Sequence, residues 1–240
     1  MPAMPETAAA IVEEIKGLGR ESYKRVLVTH GIAEPVFGVK IEDLKKIQKR
    51  IKKDYRLALE LYDTGVYDAM YLAGLIADDA KMTRQDLQRW VEKAHASGIS
   101  HFTVPWVASG SPHGWALGLE WIESKQENVA AAGWATLGCW VAMKSDAELD
   151  LAVLERLLER IGKTIHDQPN RVRYVMNGFV IGIGSYVAPL TALAEETAAR
   201  MGKVTVDMGD TACKVPDAAS YIDKVRARGT LGKKRKTVKC

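Results

Sequence analysis

Three polar side chains at the start of one predicted helix have the types and spacing needed to bind phosphate. Arg171, Arg173 and Asn177 lie in the stretch Asn170-Arg-Val-Arg-Tyr-Val-Met-Asn. Arg173 and Asn177 are at positions i and i+4, so they share one face of a helix. A guanidinium group binds phosphate oxygens as a fork, which suits the arginines to this role. The alternative is an exposed helix start that holds a local hydrogen-bond network.

A second basic set lies on the predicted helix 41–53. Ile41, Leu44, Ile47 and Ile51 form its apolar face, and Lys45 and Lys49 belong to the polar remainder. These lysines could line the same groove as the arginines above. A solvated helix face is the alternative interpretation of such a charge run.

Sequence motifs of small-molecule catalysis are absent. The chain contains no P-loop, no GxGxxG after a strand, no HExxH and no GxSxG. Its histidines show no i, i+4 pairing that would suit a metal. Asp207, Asp210 and Cys213 are spaced by three, but a solvated turn is favoured over a metal site there. We therefore expect no metal and no cofactor, and the sequence assigns no catalytic residue.

The elements that must position these residues are predicted to be helices. Apolar residues recur at helical spacing, and only 203–207 could form a short extended piece. Short connections between successive helices predict antiparallel pairs stacked in a row. The glycine-containing helix 127–144 is predicted to be interior. Gly133, Gly138, Gly178 and Gly182 should have either a close-packing or a ligand-approach reason, with close packing as the default. The predicted helices are 6–17, 20–30, 41–53, 55–64, 67–78, 84–96, 100–109, 114–123, 127–144, 147–162, 170–183, 188–201 and 217–228.

The charge is distributed unevenly along a chain of ordinary globular composition. The chain is 47% hydrophobic and 27% charged, with a net charge of +4. Lys and Arg outnumber Asp and Glu by 8 to 3 in residues 40–56 and by 13 to 6 in 168–240. Residues 57–167 have 9 basic against 16 acidic residues. If the fold joins the two basic blocks, they form a positive face that attracts a polyanion; otherwise they are solvated surface.

The cysteine count and the N-terminus predict a cytoplasmic protein. The three cysteines have no CxxC spacing, which fits a reducing compartment, and the N-terminus lacks the features of a secretory signal. The stretch 174–194 carries no charged residue, but Gly184 and Pro189 should break it into two buried segments. No membrane span is expected.

Several segments resemble the bacterial DNA alkylation repair enzymes of the AlkD type, with this chain as a divergent member. They are Phe37-Gly-Val-Lys-Ile-Glu-Asp-Leu-Lys-Lys-Ile, Ala58-Leu-Glu-Leu-Tyr, Tyr67-Asp-Ala-Met-Tyr-Leu-Ala and the stretch from Asn170 to Asn177. The resemblance covers roughly residues 10–205. It implies a right-handed α-solenoid of HEAT-like helix pairs over residues 1–205. A C-terminal extension, 206–240, would follow with one helix and a disordered basic tail.

The resemblance also implies an activity, the excision of cationic N3- and N7-alkylpurines from double-stranded DNA bound on a concave basic face. The family's active groups are two tryptophans, an aspartate and an arginine. They align here with His101, Phe179, Pro105 and Gly133, in that order. No Asp or Glu lies between Lys93 and Glu120, so no nearby residue can replace the aspartate. A carboxylate there would stabilise the oxocarbenium-like sugar, and aromatic faces would hold the cationic base.

The resemblance therefore predicts DNA binding more directly than it predicts catalysis. The expected DNA contacts are Arg171, Arg173, Asn177, Lys45, Lys49, His101, Trp106, Trp134 and Phe179. Three alternatives stay open: an alkylpurine DNA glycosylase without the usual aspartate, a non-catalytic binder of unusual DNA structures, and a protein-binding scaffold. We expect a monomer at the bacterial nucleoid.

Overall fold

A computed structural model describes residues 6–209 and 211–239, and these residues form an all-helical protein without strands. The predicted helices are all present, whereas 203–207 is not a strand. The α-helices are α1 (Ala8–Leu18), α2 (Glu21–Thr29), α3 (Ile41–Ile51), α4 (Tyr55–Asp63), α5 (Tyr67–Ile76), α6 (Arg84–Glu92), α7 (Val104–Gly110), α8 (Gly114–Trp121), α9 (Glu127–Met143), α10 (Leu151–Thr164), α11 (Asn170–Tyr186), α12 (Thr191–Met201) and α13 (Ala218–Ala227).

Local sequence signals set the helix starts. The Thr83 hydroxyl accepts a hydrogen bond from the Asp86 amide, and the Asp86 carboxylate accepts one from the Thr83 amide, which is the predicted capping box of α6. Ser145 and Glu148 form a second box, but it caps a short 3-10 turn. Helix α10 begins later, with Asp150 as its N-cap. Side-chain oxygens thus satisfy amides that have no partner within the helix.

The helices pack in antiparallel pairs into the predicted α-solenoid of HEAT-like pairs. Helix α4 packs on α5, α8 on α9, and α11 on α12. Helices α9 and α11 form the most extensive contact and lie side by side in the interior, as predicted for α9. One apolar cluster fills the N-terminal half and a second fills the C-terminal half. This stacking places α9 and α11 where they can form the walls of a groove.

The long uncharged stretch of the sequence is divided into two helices. Helix α11 ends at Tyr186, and the segment Ala188–Met201 turns away from it by 114°. In the described part of the chain, no single helix has the length and apolarity to cross a membrane; only this bent pair does, by length and composition. The predicted break near Gly184–Pro189 is confirmed.

The C-terminal extension is anchored to the helical repeats, so the prediction of a disordered tail is wrong. Helix α13 packs against α11 and α12. The amide of Gly232 donates to Ser185 O (2.9 Å) and that of Arg235 to Ala142 O (2.8 Å). Lys239 Nζ reaches Asp79 Oδ1 at 2.6 Å and also donates to Ala77 O. The tail crosses the C-terminal ends of α11, α9 and α5 in turn, where cations complement the helix dipoles and carbonyl groups lack helical partners.

Candidate nucleic-acid interface

A cavity of about 740 Å³ lies between α9, α11 and the C-terminal extension. Aromatic rings, glycines and basic side chains dominate its wall. The lining includes His101, Phe102, Trp106, Trp134, Gly138, Tyr174, Gly178, Phe179, Gly182, Ser185, Tyr221, Arg228, Lys233 and Arg235. This size and lining fall within the range of ligand sites in proteins.

A turn of π-helix presents His101 and Phe102 to the cavity. The turn spans Ile99–Thr103, and the Val104 amide reaches Ile99 O across the wider π spacing. Pro105 has no amide hydrogen and so cannot bond to the carbonyl of His101, as an α-helix would require. Phe102 remains 46% exposed at the cavity. The His101 ring stacks on Tyr174 at 5.7 Å between centroids and an interplanar angle of 16°.

His101 is neutral at physiological pH. Burial, and then the charge of Arg171, lower the pKa of its imidazole to about 4. Its Nε2 atom is buried and has no hydrogen-bond partner among the residues the structure describes. A neutral imidazole offers one donor and one acceptor nitrogen, so His101 has unused hydrogen-bonding capacity at the cavity.

The interior glycines divide into two groups, and close packing explains only one of them. A Cβ on Gly133 would lie 2.6 Å from the Ile122 amide nitrogen, so this glycine permits the close approach of α8 and α9, as predicted. Apart from the backbone of its own helix, no heavy atom of the described residues lies within 4 Å of a Cβ added to Gly138, Gly178 or Gly182. These three line the cavity instead, so the prediction of close packing is wrong for them.

Alanine at the cavity glycines is therefore expected to stabilise the fold. Gly138→Ala and Gly178→Ala should each raise the free energy of unfolding by about 0.5–1 kcal/mol, since alanine is the better helix former and meets no neighbour. Gly133→Ala in the same helix α9 should lower it, because the added methyl collides with backbone. Urea unfolding of the three variants measures this. Destabilisation by Gly138→Ala and Gly178→Ala would show that the wall is packed in solution.

The rim of the cavity carries four cations, and three of them pair with no carboxylate of the described residues. Lys234 pairs with Asp146 at 2.8 Å. Arg228, Lys233 and Arg235 are exposed and have no ion-pair partner in the described ranges 6–209 and 211–239. Unpaired cations beside a cavity attract anionic ligands such as phosphates.

Four of the nine residues predicted to contact DNA meet at this cavity. They are His101, Trp106, Trp134 and Phe179. Trp134 and Phe179 are each 1% exposed and pack edge to face at 5.3 Å, and Trp106 is 4% exposed. Arg160 lies over the Trp134 ring, 5.7 Å from its centroid. The Trp134–Phe179 pair thus supports the cavity wall as part of the core.

The phosphate-binding set at the start of α11 is only partly preserved. Arg171 and Arg173 have no carboxylate ion-pair partner in the described chain; the Arg171 guanidinium donates to His95 O, and that of Arg173 donates to Asn170 Oδ1. Asn177 is 1% exposed, and its amide donates to Pro216 O at 2.9 Å. A phosphate contact by Asn177 is therefore wrong for this structure, since the side chain fastens the C-terminal extension to α11.

Lys45 and Lys49 on α3 do not line the cavity. Neither has an ion-pair partner within the described chain, so both keep a free positive charge. Their contact with DNA stays a prediction.

No Asp or Glu lines the cavity within the described residues. Gly133, where the family's arginine aligns, has no room for a side chain, and Pro105 is buried. Burial raises the pKa of the Cys139 thiol to about 12, so the thiol is protonated at neutral pH. Asp207 and Cys213 form no metal cluster in the described chain, and Asp210 lies outside the described residues.

Residues of the extension were missing from the predicted contacts. Tyr221, Arg228, Lys233 and Arg235 of the extension line the cavity, as does Ser185 near the end of α11. The basic run of the tail was the sequence signal for Lys233 and Arg235, and nothing in that run indicates where it docks.

Comparisons with known proteins place the chain in a family. The sequence profile described as DNA alkylation repair enzyme matches residues 11–202. Two uncharacterized proteins, from Listeria innocua and Listeria monocytogenes, are each 34% identical over 220 residues, covering 90% of this chain and 95% of the relative. A solved structure described as a new family related to the HEAT-like repeat DNA glycosylases with affinity for branched DNA structures superposes with a TM-score of 0.90. It is 34% identical and covers 98% of this chain and 100% of its own. The chain thus belongs to the DNA alkylation repair enzyme family.

Proposed function

We propose that the protein binds branched duplex DNA through the basic rim of its cavity and excises no alkylated base. The observation that carries the proposal is a rim of unpaired cations, Arg228, Lys233 and Arg235, around an aromatic cavity that no carboxylate lines in the described chain. Phosphates supply the partner charge for such a rim. Base excision would need a carboxylate beside the sugar, and this cavity offers none.

The related solved structure supports the preference for branched DNA. That protein is described as having affinity for branched DNA structures, and it matches this chain over nearly its whole length. At a branch point, several duplex arms present phosphates from different directions. Cations on the tail and at the start of α11 offer separate contacts for the phosphates of different arms.

The experiment compares a four-way junction with a linear duplex of equal length and composition. We expect the junction to bind about 10-fold more tightly and its affinity to fall steeply with salt, because phosphate contacts release counterions. In parallel, methylated duplex is assayed for release of 3-methyladenine and 7-methylguanine, with no release expected above the spontaneous rate. Equal affinity for both DNAs would contradict the preference for branches. Base release above the spontaneous rate would show that catalysis survives without the aspartate.

A further inference from the structure

The proposed function uses the rim of the cavity and leaves its interior unexplained. A protein that only held phosphates would need no space of about 740 Å³ between α9 and α11. A concave site of this size, lined by aromatic rings and a few polar groups, is the usual form of a small-ligand site. The interior therefore calls for a ligand of its own.

One side of the interior is a wall without side chains. Gly178 and Gly182 are one helical turn apart on α11, and Gly138 adds to the wall from α9. Each glycine costs about 1 kcal/mol of helix stability relative to alanine, and no neighbouring atom requires any of the three. Their common effect is a flat backbone surface against which a planar group can lie.

Aromatic rings surround that wall. His101 and Tyr174 form a stacked pair, and Phe102 and Tyr221 are each 46% exposed. Stacking on such side chains is how proteins hold unpaired bases irrespective of sequence. Exposed aromatic rings in an otherwise ordinary surface thus point to a planar, π-bearing ligand.

Two buried polar atoms at the cavity lack the partner that burial demands. Ser185 is 2% exposed, and its Oγ makes no hydrogen bond to any described residue. His101 Nε2 is likewise buried and makes no hydrogen bond to any described residue. Buried polar groups are almost always hydrogen-bonded, so each of these atoms has capacity for a ligand. The edge of a nucleobase carries hydrogen-bond donors and acceptors that can pair with these two atoms.

We propose that the cavity binds one unpaired nucleotide, with its base against the Gly138–Gly178–Gly182 wall and its phosphate at the basic rim. The inference rests on the proposed function, since a branch point is where a base most readily leaves the duplex. The cost of unpairing is smallest for a base that is already unpaired. The bound species is an intact nucleotide, and no bond is made or broken.

The test uses a four-way junction with one unpaired adenosine at the branch point. The matched probe carries an abasic nucleotide at the same position, which keeps the backbone and removes the base. We expect the wild-type protein to bind the adenosine junction about 10-fold more tightly than the abasic one, as one base stack predicts. In Gly178→Leu the added side chain covers the glycine wall where the base would lie, so the ratio should fall to about one.

Gly17→Leu is the control variant. Gly17 lies in α1, away from the cavity, and a Cβ there also meets no atom within 4 Å. It should retain the wild-type ratio, and thermal unfolding should show both leucine variants folded. A wild-type ratio of one, with junction binding intact, would overturn the nucleotide site alone. No binding to any junction would overturn the proposed function itself. A ratio that persists in Gly178→Leu would place the base elsewhere.

Discussion

Replacing Arg228, Lys233 and Arg235 together by glutamine is expected to weaken four-way junction binding by about 500-fold in 0.1 M salt. The three cations line the cavity rim and have no ion-pair partner in the described parts of the chain. Each phosphate contact contributes about 0.9 to the slope of log affinity against log salt. Three lost contacts therefore lower the slope by about 2.7. With equal affinities of the variant and the wild type at 1 M salt, this difference in slope amounts to about 500-fold in affinity at 0.1 M salt.

The measurement is a salt titration of binding for the wild type and the triple variant. The control removes the same charge from Arg56, Lys125 and Arg156, which are exposed and do not line the cavity. We expect the control to bind with a slope close to that of the wild type. A similar decrease in both variants would mean that the affinity follows net charge and that the rim has no special part.

Asp68→Ala is expected to lower the free energy of unfolding by about 3–5 kcal/mol. Asp68 is 1% exposed, and its carboxylate accepts hydrogen bonds from the amides of Phe37 (2.7 Å) and Val39 (2.8 Å). Hydrogen bonds to a charged group contribute about 1.5–3 kcal/mol each, and the alanine would leave buried donors unsatisfied. Asp68→Asn keeps the shape and one acceptor oxygen, so it should lose about half as much.

Urea unfolding gives the free energies. The matched control is Asp63→Asn, which removes an exposed carboxylate that pairs with Lys93 at 3.0 Å. An exposed ion pair is worth about 0–1 kcal/mol, so this variant should unfold near the wild-type midpoint. If Asp68→Asn were no more destabilised than Asp63→Asn, the carboxylate would not be what holds the loop before α3.

The Asp68 contacts also explain two of the sequence segments that carry the family resemblance. Phe37-Gly-Val-Lys and Tyr67-Asp-Ala are far apart in sequence, and the Asp68 carboxylate joins them. Gly38 between the two bonded amides has φ +75°, and a Cβ there would lie 2.5 Å from the Lys24 amide nitrogen. These segments therefore identify the fold and say little about the ligand.

Local patterns were sufficient for the helices because each one depends on neighbours in the chain. The apolar spacing of α3, the capping box of α6 and the break after α11 all act within a few residues. The absence of Asp and Glu between Lys93 and Glu120 is likewise a property of the sequence alone. The sequence by itself thus determined the all-helical architecture, the family and the lack of an acidic residue in this segment.

Only the tertiary structure revealed the cavity and the residues that line it. Gly133 and Gly138 look alike in sequence, yet one meets the backbone of α8 and the other faces open space. The sequence predicted a disordered basic tail, but the tail binds carbonyl groups at the ends of α11, α9 and α5 and lines the cavity. The sequence predicted Asn177 as a phosphate ligand, but its side-chain amide donates a hydrogen bond to Pro216 O. The physical reason is the same in all three cases. The role of the residue depends on which part of the protein packs against it, and that part is distant in sequence.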